Sequence, residues 1–370
     1  MNEATEPASS VQASEKPSNK LPYVIAAVAV ILAIIGFVLF FVNQVPSNAA
    51  AKVNDTYITE DKVAERITQY RSAYGYSDDS DFASMLSTNG YTVASYRMSI
   101  IDQLALSTLV EARAKELGIT VSDEEVQAEL ESISGSVSSG DNSIWASTLE
   151  SMGLTEDILK ERYRANILQD KLCEKEVSER TASDDEVLAY AQSYLAGTTQ
   201  MHVYRIVCSG DDMATKASDA YAAVKALQDG GTLTWETFSE VAKKYSDESA
   251  VDTTGGELGW TGSGAIGTDL AETLESMGAG QVAGPISVES DNGALEIVYV
   301  DQDFTFPSAE SMTSLASLNL PSKLRSVVQN AADYTAWQSD CNAYLAKMLA
   351  NAQMTYYPTP ANAAYNVSLS

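Results

Sequence analysis

The stretch from Phe238 to Gly284, FSEVAKKYSDESAVDTTGGELGWTGSGAIGTDLAETLESMGAGQVAG, switches conformational signal repeatedly over a short distance. A short amphipathic helix runs into an acidic loop, then into Gly-Gly-Glu-Leu-Gly-Trp, a second helix, a Gly-Gln-Val turn and the apolar strand Leu295–Val300. This order of elements is that of a mixed sheet-and-helix module. Upstream, His202–Cys208 (HVYRIVC) has the composition of a further strand. Gly255, Gly256 and Gly259 fit tight turns that need positive φ, and Trp260 is expected to pack beside them.

The flanking sequence reads as helical. Ala50–Thr59 forms two strand pieces around the turn pair Asn54-Asp55, and Thr59 caps a helix bearing Val63, Ile67 and Tyr70. Val93–Leu117 is a long amphipathic segment with Ile100, Ile101, Leu104, Leu106, Leu109 and Val110 on a broad apolar face, stopped by Gly118. Capping boxes at Ser122-Asp-Glu-Glu125 and Ser183-Asp-Asp-Glu186 open two more helices, the first ended by the Ser-Gly-rich stretch 134–142. Thr155 starts another, through Leu159, Tyr163, Ile167 and Leu172. Leu320–Ala352 is helical again, and Tyr356-Tyr357 suits a terminal strand. A lone helix must find a partner, so this one is expected to pack back on the 50–195 helices, leaving the mixed unit as an insertion.

Leu21–Val42 is 22 residues without a charge, enough to span a hydrocarbon core of about 30 Å as a helix. Lys16 and Lys20 precede it and the next basic residue is Lys52, which favours a cytoplasmic N-terminus. A cleaved signal peptide is the rival, since Asn48-Ala49-Ala50-Ala51 offers small residues; the apolar run exceeds the roughly 7–15 residues usual there. The net charge of −28 argues against nucleic acid and anionic lipid as partners and suits basic or unfolded clients. Cys173, Cys208 and Cys341 form no disulfide framework or zinc spacing, and a single histidine, His202, excludes a multi-histidine metal site. No cofactor is expected.

The helix–acidic loop–GGELGW–helix–strand order, with HVYRIVC before it, resembles a parvulin-type peptidyl-prolyl isomerase domain. The surrounding KVNDTYIT, the helices and the capping boxes resemble SurA- and PrsA-like extracytoplasmic foldases. The fold class implied is α+β: a disordered cytoplasmic tail (1–20), a transmembrane helix (21–43), a helical chaperone domain (50–199), a parvulin-like α/β domain (200–304), and a C-terminal helical part (305–370) packing on the chaperone domain.

Prolyl isomerisation breaks no covalent bond; its barrier of about 18–20 kcal/mol comes from lost amide resonance. A catalyst needs an apolar slot for the ring and polar groups matched to the twisted amide. Parvulins use two strand histidines, an Asp or Cys in the acidic loop, and Met and Phe around the proline. By that resemblance the first histidine matches His202 and the acid matches Glu248, with Asp247 a near alternative. The second histidine position holds Glu296. The Met and Phe positions hold Ile266 and Leu270, with Trp260 beside the slot. The site is therefore partly altered. Each residue also has a plainer reading: a bonded strand histidine, solvated carboxylates, ordinary core.

The resemblance implies a membrane-anchored folding factor that binds unfolded or newly exported polypeptides and X-Pro segments through a parvulin-like isomerase module. The alternative is a catalytically inactive chaperone that uses the fold only for binding. The client cleft is expected along the long helix near Ile100–Val110.

Overall fold

The computed structural model describes residues 45–76, 78–138, 142–262, 268–289 and 293–363, with Tyr365 and Val367. The expected tail 1–20, the expected span 21–43 and Ile266 lie outside the described residues. Among the described residues no helix is long and apolar enough to cross a membrane.

The chain runs β1 (Ala49–Val53), β2 (Thr56–Thr59), α1 (Glu60–Ala73), α2 (Asp79–Thr88), α3 (Val93–Leu117), α4 (Asp123–Ser138), α5 (Asn142–Ser151) and α6 (Glu156–Glu176). It continues through α7 (Asp184–Tyr190), β3 (Thr199–Cys208), α8 (Met213–Asp229), α9 (Trp235–Tyr245), β4 (Glu257–Gly262) and α10 (Thr268–Glu275). β5 (Val282–Val288), β6 (Ala294–Thr305), α11 (Ser322–Ala350) and β7 (Met354–Tyr356) complete it.

Local chemistry sets the boundaries. The Thr59 hydroxyl accepts from the Lys62 N–H, and Glu60 and Asp61 place negative charge in the first turn of α1. Thr92 and Ser95 form a reciprocal capping box at α3, and Gly118 ends that helix at φ 69°. Ser122 and Glu125 exchange bonds of 2.9 and 3.2 Å, as the sequence predicts. The helix they open runs past Gly135 to Ser138, farther than the Ser-Gly composition suggests.

Two antiparallel sheets organise the molecule. In the first, of order β2-β1-β7, Val53 lies opposite both Thr56 and Met354, so the C-terminal strand closes on the first one. α11 packs on α3 and α7, joining the C-terminal part to the N-terminal helices. Inside this body Arg97 is buried and bonds Glu60, the Tyr365 hydroxyl at 3.0 Å and the Ala50 carbonyl at 3.3 Å. Ile100, Ile101, Ala105, Leu109 and Val110 are likewise buried, against β1, α1, α6 and α11. The expected client cleft near Ile100–Val110 is thus corrected: this face is core, because the returning α11 and the first sheet cover it.

The second sheet, of order β4-β3-β6-β5, is the inserted unit. It starts and ends at one place, since Thr199 pairs with Thr305 and their hydroxyls lie 2.9 Å apart. Alternation along β3 divides its side chains between two faces. Tyr204, Ile206 and Cys208 join Ile297, Tyr299 and Phe238 in the core under α8 and α9. Met201 and Val203 join Val298, Val300, Leu270 and Leu274 on the α10 side.

Candidate functional site

The α10 face of the second sheet carries a compact charged cluster. Arg205, two residues beyond Val203 on β3, donates from Nη2 to Glu248 Oε1 at 2.8 Å and from Nη1 to Glu296 Oε1 at 3.4 Å. Glu296 is fully buried on β6, while the Arg205 and Glu248 side chains keep about a quarter of their surface. A buried carboxylate needs such a cation; without one the desolvation of its charge goes uncompensated. Leu270, 1% exposed, packs on the same sheet face from α10.

Backbone geometry fixes the cluster. Gly256 (φ 81°) accepts a bond of 2.8 Å from the Arg205 N–H, and a Cβ there would lie 2.2 Å from the Arg205 carbonyl oxygen. The acidic loop is held in frame by Asp247, whose N–H donates to the Val207 carbonyl at 2.7 Å. The Asp247 carboxylate bonds Lys216 Nζ and the Ser209 N–H, and the Lys216 bond holds its carboxyl below the usual range. Asp247 is thereby directed away from Arg205, and Glu248 is the acid that faces it. The two sequence candidates, left open above, are separated by these partners.

The structure does not bring His202 to Glu248 and Glu296. Its ring lies 5.0 Å from that of Tyr204, edge to face, and stacks on Trp260 at 5.6 Å, on the α8–α9 side of the sheet. Nε2 is 2.7 Å from Glu257 Oε1 and Nδ1 is 3.3 Å from Asp301 Oδ2. The physical reason is strand parity: His202 and Arg205 are three residues apart and must point to opposite faces. The residue that sequence matching missed is Arg205. Its signal was present, a charge among the apolar positions Val203 and Val207 of the α10-facing set.

Trp260 is also placed away from Leu270. It stacks on His202 and, with Phe304 and Leu320, packs against the core of Phe306, Leu318, Leu324 and their neighbours between the sheet and α11. Lys323 of α11 donates to Glu257 Oε1 at 3.1 Å and lies over the Trp235 ring at 5.9 Å. Burial pushes the Glu257 carboxyl up, but bonds from His202 and Lys323 outweigh it, and the net shift is downward. His202 and Trp260 thus build the seam between the inserted unit and the C-terminal helix. Burial, with Asp301 second, pushes the Tyr299 phenol up to about 12, so that hydroxyl stays a donor to Asp301.

Beyond the cluster, a cleft of about 700 Å³ opens at the far end of the same sheet, lined by Gln200, Met201, Leu274, Met277 and Asp303 among others. On the helical body, Tyr70, Tyr74 and Tyr76 form an aromatic cluster with ring separations of 4.6 to 6.5 Å. Tyr91 joins through Tyr96, and Tyr74 and Tyr91 are 64% and 40% exposed. No group of residues suited to hold a metal ion occurs among the described residues.

Residues 18–173 match the SurA-like N-terminal domain family and residues 202–302 match the PPIC-type PPIASE domain family. Chaperone SurA of Xanthomonas campestris pv. campestris is 31% identical over 214 residues, covering 54% of this chain and 43% of the relative. Foldase protein PrsA of Clostridium kluyveri is 24% identical over 238 residues, 59% of this chain and 64% of the relative. The crystal structure of PrsA from Bacillus subtilis, 17% identical, covers 82% of this chain and 92% of that one with a TM-score of 0.37. The chain spans less than half the length of the SurA relatives it matches. It combines a SurA-like N-terminal domain with a PPIC-type domain.

Proposed function

We propose that this chain, a SurA-like helical domain with a PPIC-type domain set into it, is a membrane-anchored folding factor for unfolded or newly exported polypeptides. In this reading residues 21–43 span the membrane, the N-terminus is cytoplasmic, and both domains meet their clients outside. The acidic surface keeps the protein soluble beside the bilayer and draws basic, unfolded segments. The exposed tyrosines Tyr74 and Tyr91 supply large, sequence-tolerant contact area for such chains.

The observation that carries the reading of the inserted domain is the Arg205–Glu248–Glu296 cluster beside Leu270. A twisting prolyl amide localises a lone pair on its nitrogen, and a fixed N–H donor stabilises that state more than the planar one. Arg205 is such a donor, always charged and partly exposed. Its bonds to two carboxylates offset part of that field, so the reading is a slow isomerase resting on Arg205, with His202 serving the domain seam. A non-catalytic chaperone is the second possibility, favoured by the same clamp, since Arg205 must loosen from Glu248 to meet a substrate.

Proline-limited refolding and aggregation of an unfolded client, measured with the full chain and with Arg205→Lys and His202→Ala, test this. Expected are suppressed aggregation in all three, and modest acceleration of refolding that His202→Ala keeps and Arg205→Lys loses. Failure of the wild type to hold back aggregation overturns the folding-factor reading. Acceleration abolished by His202→Ala overturns the role given to Arg205, and absence of acceleration with aggregation still suppressed selects the chaperone.

A further inference from the structure

Cys173 lies in the last turns of α6 and Cys341 in the second half of α11. Both are free thiols, 2% and 6% exposed, in one small core with Val110, Leu172 and Leu345. The two side chains are neighbours in that core, and each thiol is among the groups that shift the other. The seam around them is pinned by neighbours. Trp337 Nε1 donates to the Val177 carbonyl at 3.4 Å, and Arg180 Nε donates to Asp340 at 2.7 Å. The third thiol, Cys208, sits in the inserted domain, where its Sγ is 3.7 Å from the Tyr245 carbonyl and no other cysteine shares its core.

We propose that Cys173 and Cys341 are a disulfide-forming pair, closed by thiol–disulfide exchange with a small or protein disulfide, and that the bridge staples together the two parts of the helical domain. In the first step one thiolate attacks the oxidant's sulfur–sulfur bond. That bond breaks, one oxidant thiol leaves, and a mixed disulfide remains. The second thiolate then displaces the other half, forming the Cys173–Cys341 bond. Two protein thiols are oxidised; two electrons pass to the oxidant, which ends as two thiols carrying the two protons.

Burial sets when this happens. It pushes the Cys173 thiol up to about 12 and the Cys341 thiol up as well, so thiolate is scarce in the finished fold. Exchange therefore runs while α6 and α11 are still assembling, and the closed bridge is screened from reductants by the same packing. The loop it closes, residues 173 to 341, contains the whole inserted domain, and long loops lose most freedom when cross-linked.

The test uses the detergent-solubilised full chain, reduced and unfolded, then refolded with reduced and oxidised glutathione. Alkylation under denaturing conditions and peptide mapping without reduction should find the Cys173 peptide joined to the Cys341 peptide and Cys208 alkylated. The oxidised protein should melt roughly 5–10 °C above the reduced one. A Cys173→Ala/Cys341→Ala variant should show no such gap. Three alkylated cysteines, or a bridge that includes Cys208, overturns the pairing; equal melting of the two wild-type states overturns the stapling. The mapping needs only wild-type chain, so it stands whether or not the variant folds.

Discussion

The Arg205 guanidinium lies 3.4 Å from the carboxylate of Glu296 across the β3–β6 pair, and Glu296 is fully buried there. Removing the cation takes away one of the groups that stabilise this buried carboxylate. Arg205→Ala should therefore cost about 2–4 kcal/mol, moderated by the quarter of the Arg205 side chain that water reaches. The Arg205→Ala/Glu296→Ala double variant should be no worse than the single one. Urea unfolding of both, with a double-mutant cycle, reads the coupling; a loss under about 0.5 kcal/mol for Arg205→Ala contradicts it.

Gly256 and Gly259 separate steric collision from backbone strain. Both have positive φ, 81° and 85°, but only Gly256 has the Arg205 carbonyl oxygen 2.2 Å from where a Cβ would sit. Gly259→Ala should cost about 1 kcal/mol of strain, and Gly256→Ala well over about 3 kcal/mol because β3 itself must move. Denaturation midpoints of the two variants are the check. Equal losses would falsify the collision account.

The Tyr365 hydroxyl donates to Glu60 at 2.6 Å and accepts from Arg97 Nε at 3.0 Å, all three residues being buried. Tyr365→Phe removes one donor and leaves the ring in place, so the expected loss is about 1–2 kcal/mol. Chemical denaturation followed by tryptophan fluorescence measures it.

Arg180 donates to both Glu186 oxygens at 2.8 and 2.9 Å, and with the Ser183 N–H it holds the Glu186 carboxyl at about 2. A depressed carboxyl contributes stability above its unfolded value and loses it as pH falls through the folded one. The stability difference between wild type and Glu186→Gln should thus stay constant above about pH 5 and vanish towards pH 2. Thermal midpoints across that window, at fixed ionic strength, decide it.

Tyr74 and Tyr91 are exposed, so Tyr74→Ser/Tyr91→Ser should change stability by under about 1 kcal/mol. The proposed client surface would nonetheless lose affinity several-fold. Binding of a permanently unfolded polypeptide, by fluorescence anisotropy, is the measurement, and unchanged affinity removes these tyrosines from the surface.

Helix limits were readable wherever a cap and a period coincided. Thr59, Ser122 and Ser183 announce α1, α4 and α7, and Gly118 the end of α3, because each satisfies an orphan backbone group. The glycine turn was readable because Gly255, Gly256 and Gly259 do need positive φ. Less visible was which face of β3 each polar residue takes. One histidine in a strand draws the eye as a catalytic group, yet strand parity gives Arg205, not His202, to the Leu270 side. Burial of the Ile100–Val110 face was also hidden, since an apolar stripe looks alike whether a client or α11 covers it. The Arg97–Glu60–Tyr365 network left no trace, because its members are 305 residues apart at the extreme.

Because Thr199 and Thr305 face each other on neighbouring strands, polypeptide leaves the helical body and returns to it within one strand spacing, about 5 Å. Everything between them behaves as a cassette. A two- or three-residue splice from 198 to 306 spans the gap, so a gene encoding the helical body alone, or carrying a foreign cassette there, keeps both ends of that body in register.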